Sequence, residues 1–99
     1  MSQRPGSTSV EVRFSRHAYR RMLERGIATT TVLAALRFGE SVEAYPAAQP
    51  LPCRLLLHET ADGPLHVVVA EDAVEHAIIV VTVYRPDSGR WHEGFRRRR

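Results

Sequence analysis

Three side chains in the first quarter of the sequence have the types and spacing of an anion-binding site. His17, Arg21 and Arg25 recur at intervals of four residues, so on a helix they lie along one edge. A guanidinium is a permanently charged, bidentate donor that suits phosphate, and an imidazole can transfer protons near neutral pH. The pattern predicts a phosphate-binding edge with an acid or base beside it. The alternative is a solvated helix face on which Glu24 pairs with a neighbouring arginine.

A second group of candidates lies in two later, strand-like segments. His66 is the polar member of the apolar run Leu65–Ala70, and Thr82 and Tyr84 lie near the end of the segment Ala77–Arg85. Strict alternation of side chains places Ile78, Val80, Thr82 and Tyr84 on one face and Ile79, Val81, Val83 and Arg85 on the other. The strand register decides whether His66 meets Thr82 and Tyr84. His66 is therefore either a hydrogen-bonded core residue or part of a site.

Two helices with marked ends must position the first group. Ser15 can cap a first helix that Gly26 closes in the left-handed conformation. A second helix is capped by Thr29 or Thr30 and ends at Gly39. A helical wheel gives the first helix an apolar arc that we expect to face the core, made of Ala18, Tyr19, Met22 and Leu23.

The rest of the chain predicts strands. Alternating or β-branched runs occupy residues 10–14, 41–45, 53–60, 65–70 and 77–85. The order β-α-α-β-β-β-β predicts an α+β domain in which two N-terminal helices cover one face of a four- to five-stranded antiparallel sheet. We expect residues 1–9 to be disordered, 10–92 to form the single domain and 93–99 to be a flexible, arginine-rich tail.

Composition restricts the classes of function. All 14 basic residues are arginines, against 11 acids, and the formal net charge is +3. Without Arg96–Arg99 the acids outnumber the arginines by one, which argues against a protein that coats nucleic acid over its whole surface. A single cysteine, Cys53, excludes an internal disulfide and a cysteine-cluster metal site. No metal-ligand or phosphate-loop motif occurs, so we expect neither a metal nor another cofactor.

Hydropathy predicts the compartment. The longest apolar runs, Leu65–Ala70 and Ala77–Val81, are too short to cross a bilayer. The first nine residues are polar and lack the apolar centre of a secretory signal. We therefore expect a cytoplasmic protein with neither a membrane nor a disulfide partner.

Taken together, these motifs resemble those of the bacterial DUF4258 family. The resemblance covers nearly everything from Val12 to Trp91. The segments that carry it are FSRHAYRRMLERGI at 14–27, FGE at 38–40, EAYP at 43–46, PLHVVVA at 64–70 and VVTVYRPDSGRW at 80–91. Proteins of this family look like small relatives of the RelE-type toxins, whose two N-terminal helices pack on an antiparallel sheet and which cleave RNA without a metal. The resemblance also implies an antitoxin-like protein partner.

The resemblance assigns roles to particular residues. It implies catalytic roles for His17 or His66 as base or acid and for Tyr84 as a proton donor or orienting group. Arg21 and Arg25 are expected to clamp the phosphate. Thr82 and Arg85, on the last strand, are expected to complete the contacts with the substrate. RNA cleavage by a 2′-hydroxyl needs a base, an acid and cations around the phosphate, and this set supplies them. The expected function is that of a toxin-type ribonuclease acting on RNA, free or on the ribosome.

Two other functions fit the same residues. In a non-catalytic protein-binding module the histidines would be buried polar anchors that fix the fold. A nucleic-acid binder without chemistry would associate with RNA in a salt-dependent way and leave it intact. The first of these predicts that replacing His17 loosens the fold, whereas a catalytic role predicts a stable, inactive protein.

Overall fold

The computed structural model of the chain describes residues 10–99. The prediction that residues 1–9 are disordered concerns residues outside this range. Seven elements follow one another along the chain: β1 (Glu11–Phe14), α1 (Arg16–Arg25), α2 (Thr29–Phe38), β2 (Glu40–Tyr45), β3 (Cys53–Thr60), β4 (Gly63–Asp72) and β5 (Ala77–Tyr84). This order confirms the α+β class and the predicted sequence of elements. None of the helices in the described range is both long and apolar enough to span a bilayer.

The strands form one five-stranded sheet in the order β1-β5-β4-β3-β2. Strands β2 to β5 are an antiparallel meander, as predicted, but β1 pairs in parallel with β5. The sheet is therefore mixed. Alternation in the sequence predicts that residues 11–14 form a strand, yet it contains no information on which strand is the partner or on its direction. Because β1 pairs with only the first half of β5, the edge of β5 is open from Val81 onwards.

Both helices lie over the same face of the sheet, α1 over β5 and α2 over β3 and β4. Ser15 caps α1 as predicted, since its Oγ accepts from the Ala18 N–H at 3.0 Å, and Gly26 closes α1 in the left-handed conformation at φ 65°. The predicted threonine cap of α2 is wrong: Ala28 occupies that position without a side-chain hydrogen bond. At the other end of α2 the chain requires Gly39, because a Cβ there would lie 2.5 Å from the Ala35 carbonyl oxygen.

The apolar arc predicted for α1 is half correct. Ala18 and Met22 are buried in the core between helices and sheet, whereas Tyr19 is 57% and Leu23 79% exposed. The edge of α1 that carries Ala18 and Met22 packs on the core, and the side of the arc with Tyr19 and Leu23 stays uncovered. Two large apolar side chains are thus left at the surface of α1.

A bulge in β5 changes which side chains share a face. Val68 pairs with Thr82 and Val69 with Val80, so Val81 is an extra residue on β5. As a result Val80 and Val83 both lie in the core beneath the helices, and the strict alternation expected for this strand is wrong. Beyond the bulge Tyr84 lies directly opposite His66. One inserted residue thereby sets the direction of the polar side chains at the end of β5.

Residues 86–99, here called the C-terminal segment, lie against the sheet face opposite the helices. Trp91 is 2% exposed and packs against His66, with ring centroids 4.4 Å apart. Arg96 and Arg98 form ion pairs with Glu40 and Glu43 of β2, at 2.9 and 3.3 Å. The segment is therefore packed on the domain where we expected a flexible tail. Trp91, the one large apolar side chain in its first half, supplies the buried area that a tail of arginines lacks.

Candidate functional site

A cavity of about 300 Å³ opens between α1, the end of β5 and the C-terminal segment. Ten side chains line it: His17, Arg21, Arg25, Thr82, Tyr84, Arg85, Asp87, Arg90, Trp91 and Arg98. Six of the seven predicted site residues are among them, and the exception is His66. Five arginines face a single carboxylate here, although the chain as a whole carries a charge of only +3. The cavity is of the size that binds small ligands, and its charge suits an anion.

The start of α1 holds the histidine of this wall in place. The Ser15 N–H donates to the Val80 carbonyl at 3.0 Å, and the Ser15 hydroxyl donates to the Val81 carbonyl at 2.9 Å. These bonds use the open edge of β5 and fix the first turn of α1 beside it. His17, two residues later, is exposed, and its Nε2 lies 3.0 Å from the Thr82 hydroxyl. An accessible imidazole is thus tethered at the mouth of the pocket.

The two helix arginines differ in how they are paired. Arg21 lies 3.6 Å from Glu24, in the pairing that the solvated-face alternative predicts. Such an exposed pair contributes about 0–1 kcal/mol, so an anionic ligand can displace it. Within residues 10–99, Arg25 has no acidic partner. Both guanidinium groups can therefore bind a ligand.

Arg85 and Arg98 are held by the protein itself. Arg85 Nη1 donates to Thr60 Oγ1 at 2.9 Å and to the carbonyls of Gly63 and Pro64 at 3.0 and 3.2 Å. These contacts attach Arg85 to the hairpin turn between β3 and β4, so the predicted substrate contact can use only its other nitrogens. Arg98 has its guanidinium carbon 4.6 Å from the centre of the Trp91 ring.

The remaining bonds of Arg98 reach β2. Its Nε donates to Glu43 at 3.3 Å, and its Nη2 donates to the Tyr45 hydroxyl at 3.2 Å. Arg98 also lines the pocket. Its rigid fork is therefore fixed before any ligand arrives.

His66 lies behind the pocket wall rather than on it. The side chain is fully buried, with Nε2 2.9 Å from the Phe95 carbonyl oxygen and Nδ1 3.2 Å from the Tyr84 hydroxyl. The Tyr84 and Trp91 rings pack edge-on against the imidazole. His66 thus joins β4, β5 and the C-terminal segment, and Tyr84 and Trp91 separate it from the cavity.

Burial sets the protonation of this pair. The pKa of His66 lies below the ordinary value of 6.5, mainly because the side chain is buried. The hydrogen bond with the Phe95 carbonyl acts in the opposite direction and raises the pKa. Burial is also the main reason why the pKa of Tyr84 is raised above 10.0. At neutral pH the imidazole is uncharged and the phenol keeps its proton.

The lowered pKa of His66 predicts a loss of stability in mild acid. Above pH 6.5 His66 is neutral in both the folded and the unfolded chain. Below pH 6.5 His66 becomes protonated in the unfolded chain but stays neutral in the folded chain, because its pKa there is lower. The free energy of unfolding then falls by up to about 1.4 kcal/mol per pH unit, until the folded pKa is passed. Urea unfolding between pH 7.5 and 5 measures this slope. We expect His66→Gln to flatten it and His58→Gln to keep it; an unchanged slope in His66→Gln would assign the acid sensitivity to other groups.

Four lining residues lie in a part of the chain where no site residue was predicted: Asp87, Arg90, Trp91 and Arg98. The sequence from Pro86 to Gly89 indicates a turn, and Arg98 belongs to the run of arginines interpreted as a tail. Trp91 is the signal that could have identified them. A tryptophan has a large apolar surface that favours burial, and burying Trp91 brings its neighbours to the sheet.

Known proteins place the chain in a family. A family model described as "Domain of unknown function (DUF4258)" matches residues 14–85. The match covers both helices and the strands β2 to β5. The C-terminal segment lies beyond it. No curated protein and no solved structure matches the chain. The matched residues therefore include the lining residues of α1 and of the end of β5, and the other lining residues lie in the C-terminal segment.

Proposed function

Since the chain belongs to the DUF4258 family, whose function is not established, we propose that it is a metal-independent endoribonuclease of the RelE-like toxin type and that RNA is cleaved in the pocket. The observation that carries the proposal is the convergence of His17 with five arginines in one cavity. Arginine forks bind phosphate, and an imidazole beside them can move a proton. The residues come from α1, β5 and the C-terminal segment, elements far apart in the sequence.

His17 is the proton-transfer group in the proposed reaction. It is exposed to the pocket, whereas both nitrogens of His66 are occupied. The imidazole of His17 takes the proton of a ribose 2′-hydroxyl as that oxygen bonds to phosphorus. The same imidazole returns the proton to the 5′-oxygen as the phosphorus–oxygen bond to it breaks. The products are a 2′,3′-cyclic phosphate and a 5′-hydroxyl, and no other reactant is consumed.

The arginines stabilise the charge that develops on the phosphorane. Arg25, which has no acidic partner among residues 10–99, and Arg21, which has a weak one, are suited to contact the non-bridging oxygens. Arg90 and Arg98 face them from the C-terminal segment. Thr82 orients the His17 ring through the contact at 3.0 Å. His66 acts through Tyr84 as a positioning residue.

Incubation of the purified protein with a labelled RNA tests the proposal. We expect cleavage that persists in EDTA and produces 2′,3′-cyclic phosphate and 5′-hydroxyl ends, with no cleavage of DNA of the same sequence. Expression should arrest bacterial growth, and an antitoxin-like protein should relieve the arrest. Intact RNA after long incubation, with ribosomes as well as without them, would contradict the proposal.

A non-catalytic protein-binding module is the second candidate. Tyr19 and Leu23 are large, apolar and exposed on α1, and Arg16 and Arg20 flank them. Exposed apolar side chains in a row are typical of surfaces that bind another protein. The full burial of His66 also suits the anchoring role that this function assigns to a histidine. The two functions predict different results for His17→Ala: a stable, inactive protein if it is a nuclease, and a loosened fold if it is a binding module.

The arginines near the end of the chain provide a matched pair of variants. Arg98 lines the pocket, and Arg97, its neighbour, is exposed and is not among the lining residues. We expect Arg98→Gln to weaken binding of a short labelled RNA about tenfold, which corresponds to a charged hydrogen bond of about 1.4 kcal/mol. Arg97→Gln removes the same charge and should change the affinity less than twofold at 0.15 M salt. Equal losses in both variants would mean that the segment acts only as diffuse positive charge.

A further inference from the structure

The protonation of His66 fixes the direction of the Tyr84 hydroxyl. The Phe95 carbonyl oxygen can only accept a hydrogen bond, so Nε2 of His66, 2.9 Å away, carries the ring proton. A neutral imidazole has one proton, which leaves Nδ1 as an acceptor. The Tyr84 hydroxyl, 3.2 Å from Nδ1, therefore donates to it. Its proton points into the protein, and its oxygen offers lone pairs to the pocket.

An acceptor is out of place in this pocket if phosphate is the only group bound there. Phosphate oxygens accept hydrogen bonds, and the five arginines are donors to them. Because the Tyr84 hydroxyl donates its proton to His66, its oxygen has no proton to offer a phosphate oxygen. The lone pairs of the two oxygens would then repel each other. A hydroxyl, in contrast, can donate to Tyr84. The ligand groups that can bind this atom are thus O–H or N–H donors.

From this geometry we infer that Tyr84, oriented by His66, accepts a hydrogen bond from a ribose 2′-hydroxyl and so selects RNA over DNA. The inference rests on the proposed function and deepens it by naming the group that distinguishes the substrate. The 2′-hydroxyl is the feature by which proteins tell the two nucleic acids apart. Because the attacking hydroxyl passes its proton to His17, the hydroxyl that Tyr84 binds belongs to a neighbouring nucleotide. Tyr84 is then a specificity residue and His66 its positioning residue.

His17, Thr82 and Asp87 also carry acceptor atoms among the lining residues, and the first two are bonded to each other. The carboxylate among them is Asp87. Its Oδ1 already accepts from the Gly89 N–H at 2.7 Å, which holds it in the turn after β5. It carries a full charge and repels phosphate wherever it lies along the wall. Asp87 therefore affects RNA and DNA alike, whereas the neutral oxygen of Tyr84 separates them.

Three probes of one sequence test the inference: an RNA, a DNA and a 2′-O-methyl RNA of ten nucleotides, each carrying a fluorophore. The methyl group keeps the 2′-oxygen and removes the proton it would donate. Binding is measured by anisotropy in a His17→Ala background, so that RNA stays intact. We expect RNA to bind about three- to tenfold more tightly than either other probe, the value of one hydrogen bond. Tyr84→Phe should abolish this preference and leave the affinity for DNA unchanged.

Tyr19→Phe is the matched control, because Tyr19 is exposed on α1 and is not among the pocket residues. It should keep the full preference for RNA. Equal weakening of all three probes by Tyr84→Phe would make Tyr84 a general contact and overturn the inference, as would an unchanged preference. A parent protein that does not prefer RNA over the 2′-O-methyl probe would overturn it without any change at Tyr84.

The outcome is separable from that of the proposed function. A protein that cleaves nothing but loses its preference for RNA in Tyr84→Phe supports the selectivity role and contradicts the nuclease. A protein that cleaves RNA and keeps its preference in Tyr84→Phe does the reverse. Emission from Trp91, the only tryptophan of the chain, reports whether each variant keeps the C-terminal segment packed.

Discussion

Replacing His17 by alanine should lower the rate of RNA cleavage by about 10²–10⁴-fold, the usual contribution of a general acid or base. The side chain is exposed, and its recorded hydrogen bond is the one to Thr82. Its removal should therefore change the free energy of unfolding by no more than about 0.5–1 kcal/mol. Binding of RNA should persist, because the arginines remain. Single-turnover cleavage, anisotropy and a melting curve on the same preparation measure the three effects.

His92→Ala provides the comparison, since His92 is exposed in the C-terminal segment and is not among the lining residues. It should cleave at the parental rate. A His17→Ala protein that melts well below the parent would support the binding-module function, in which this histidine fixes the fold. A stable variant with undiminished cleavage would remove His17 from the reaction.

Replacing His66 by alanine should destabilise the protein strongly, by about 3 kcal/mol or more. The change empties the space between the Trp91 and Tyr84 rings, which leaves a cavity. It also leaves the Phe95 carbonyl and the Tyr84 hydroxyl without their partner in the protein, and an unpaired buried polar group costs about 1–3 kcal/mol. In a domain of this size each kcal/mol lowers the melting temperature by about 4–8 °C. The C-terminal segment should loosen first, with a red shift of the Trp91 emission.

His58→Ala is the matched histidine, half-buried on the neighbouring strand β3. Its cost should stay within about 1 kcal/mol. If both variants lost the same small amount of stability, His66 would not be the anchor between β4, β5 and the C-terminal segment. An inactive His66→Ala with unaltered melting and unaltered Trp91 emission would assign His66 a direct part in the chemistry.

Local rules predicted the elements of the fold but not all of their partners. Ser15 and Gly26 delimit α1 because capping depends on neighbouring backbone groups. The parallel pairing of β1 with β5 joins residues such as Glu11 and Ala77, and no local pattern specifies a contact over that distance. Exposure of Tyr19 and Leu23 likewise depends on how much of α1 the core covers. A helical wheel gives the faces of a helix but not the width of the face that is covered.

The candidate site was predictable where one helix carries it. His17, Arg21 and Arg25 share an edge of α1, and helical spacing alone brings them together. Thr82 lies against His17 beyond the bulge at Val81. No residue type in this part of the sequence indicates that bulge. Arg98 completes the pocket because Trp91 and Glu43 hold it there. The contact between Arg98 and Glu43, a distant acid on β2, cannot be derived from composition. By composition alone, Arg98 belongs to a run of arginines that resembles a flexible tail.

The parallel pairing of β1 with β5 has a consequence for the order of assembly. Hairpins β2–β3, β3–β4 and β4–β5 close over short loops, but β1 can pair only when β5, about the whole length of the domain later, is in place. Contacts so far apart in the chain form late and slowly. The pocket combines His17, which follows β1, with Arg98, which follows β5. We therefore expect the parts of the pocket to come together late in folding, after the hairpins have formed.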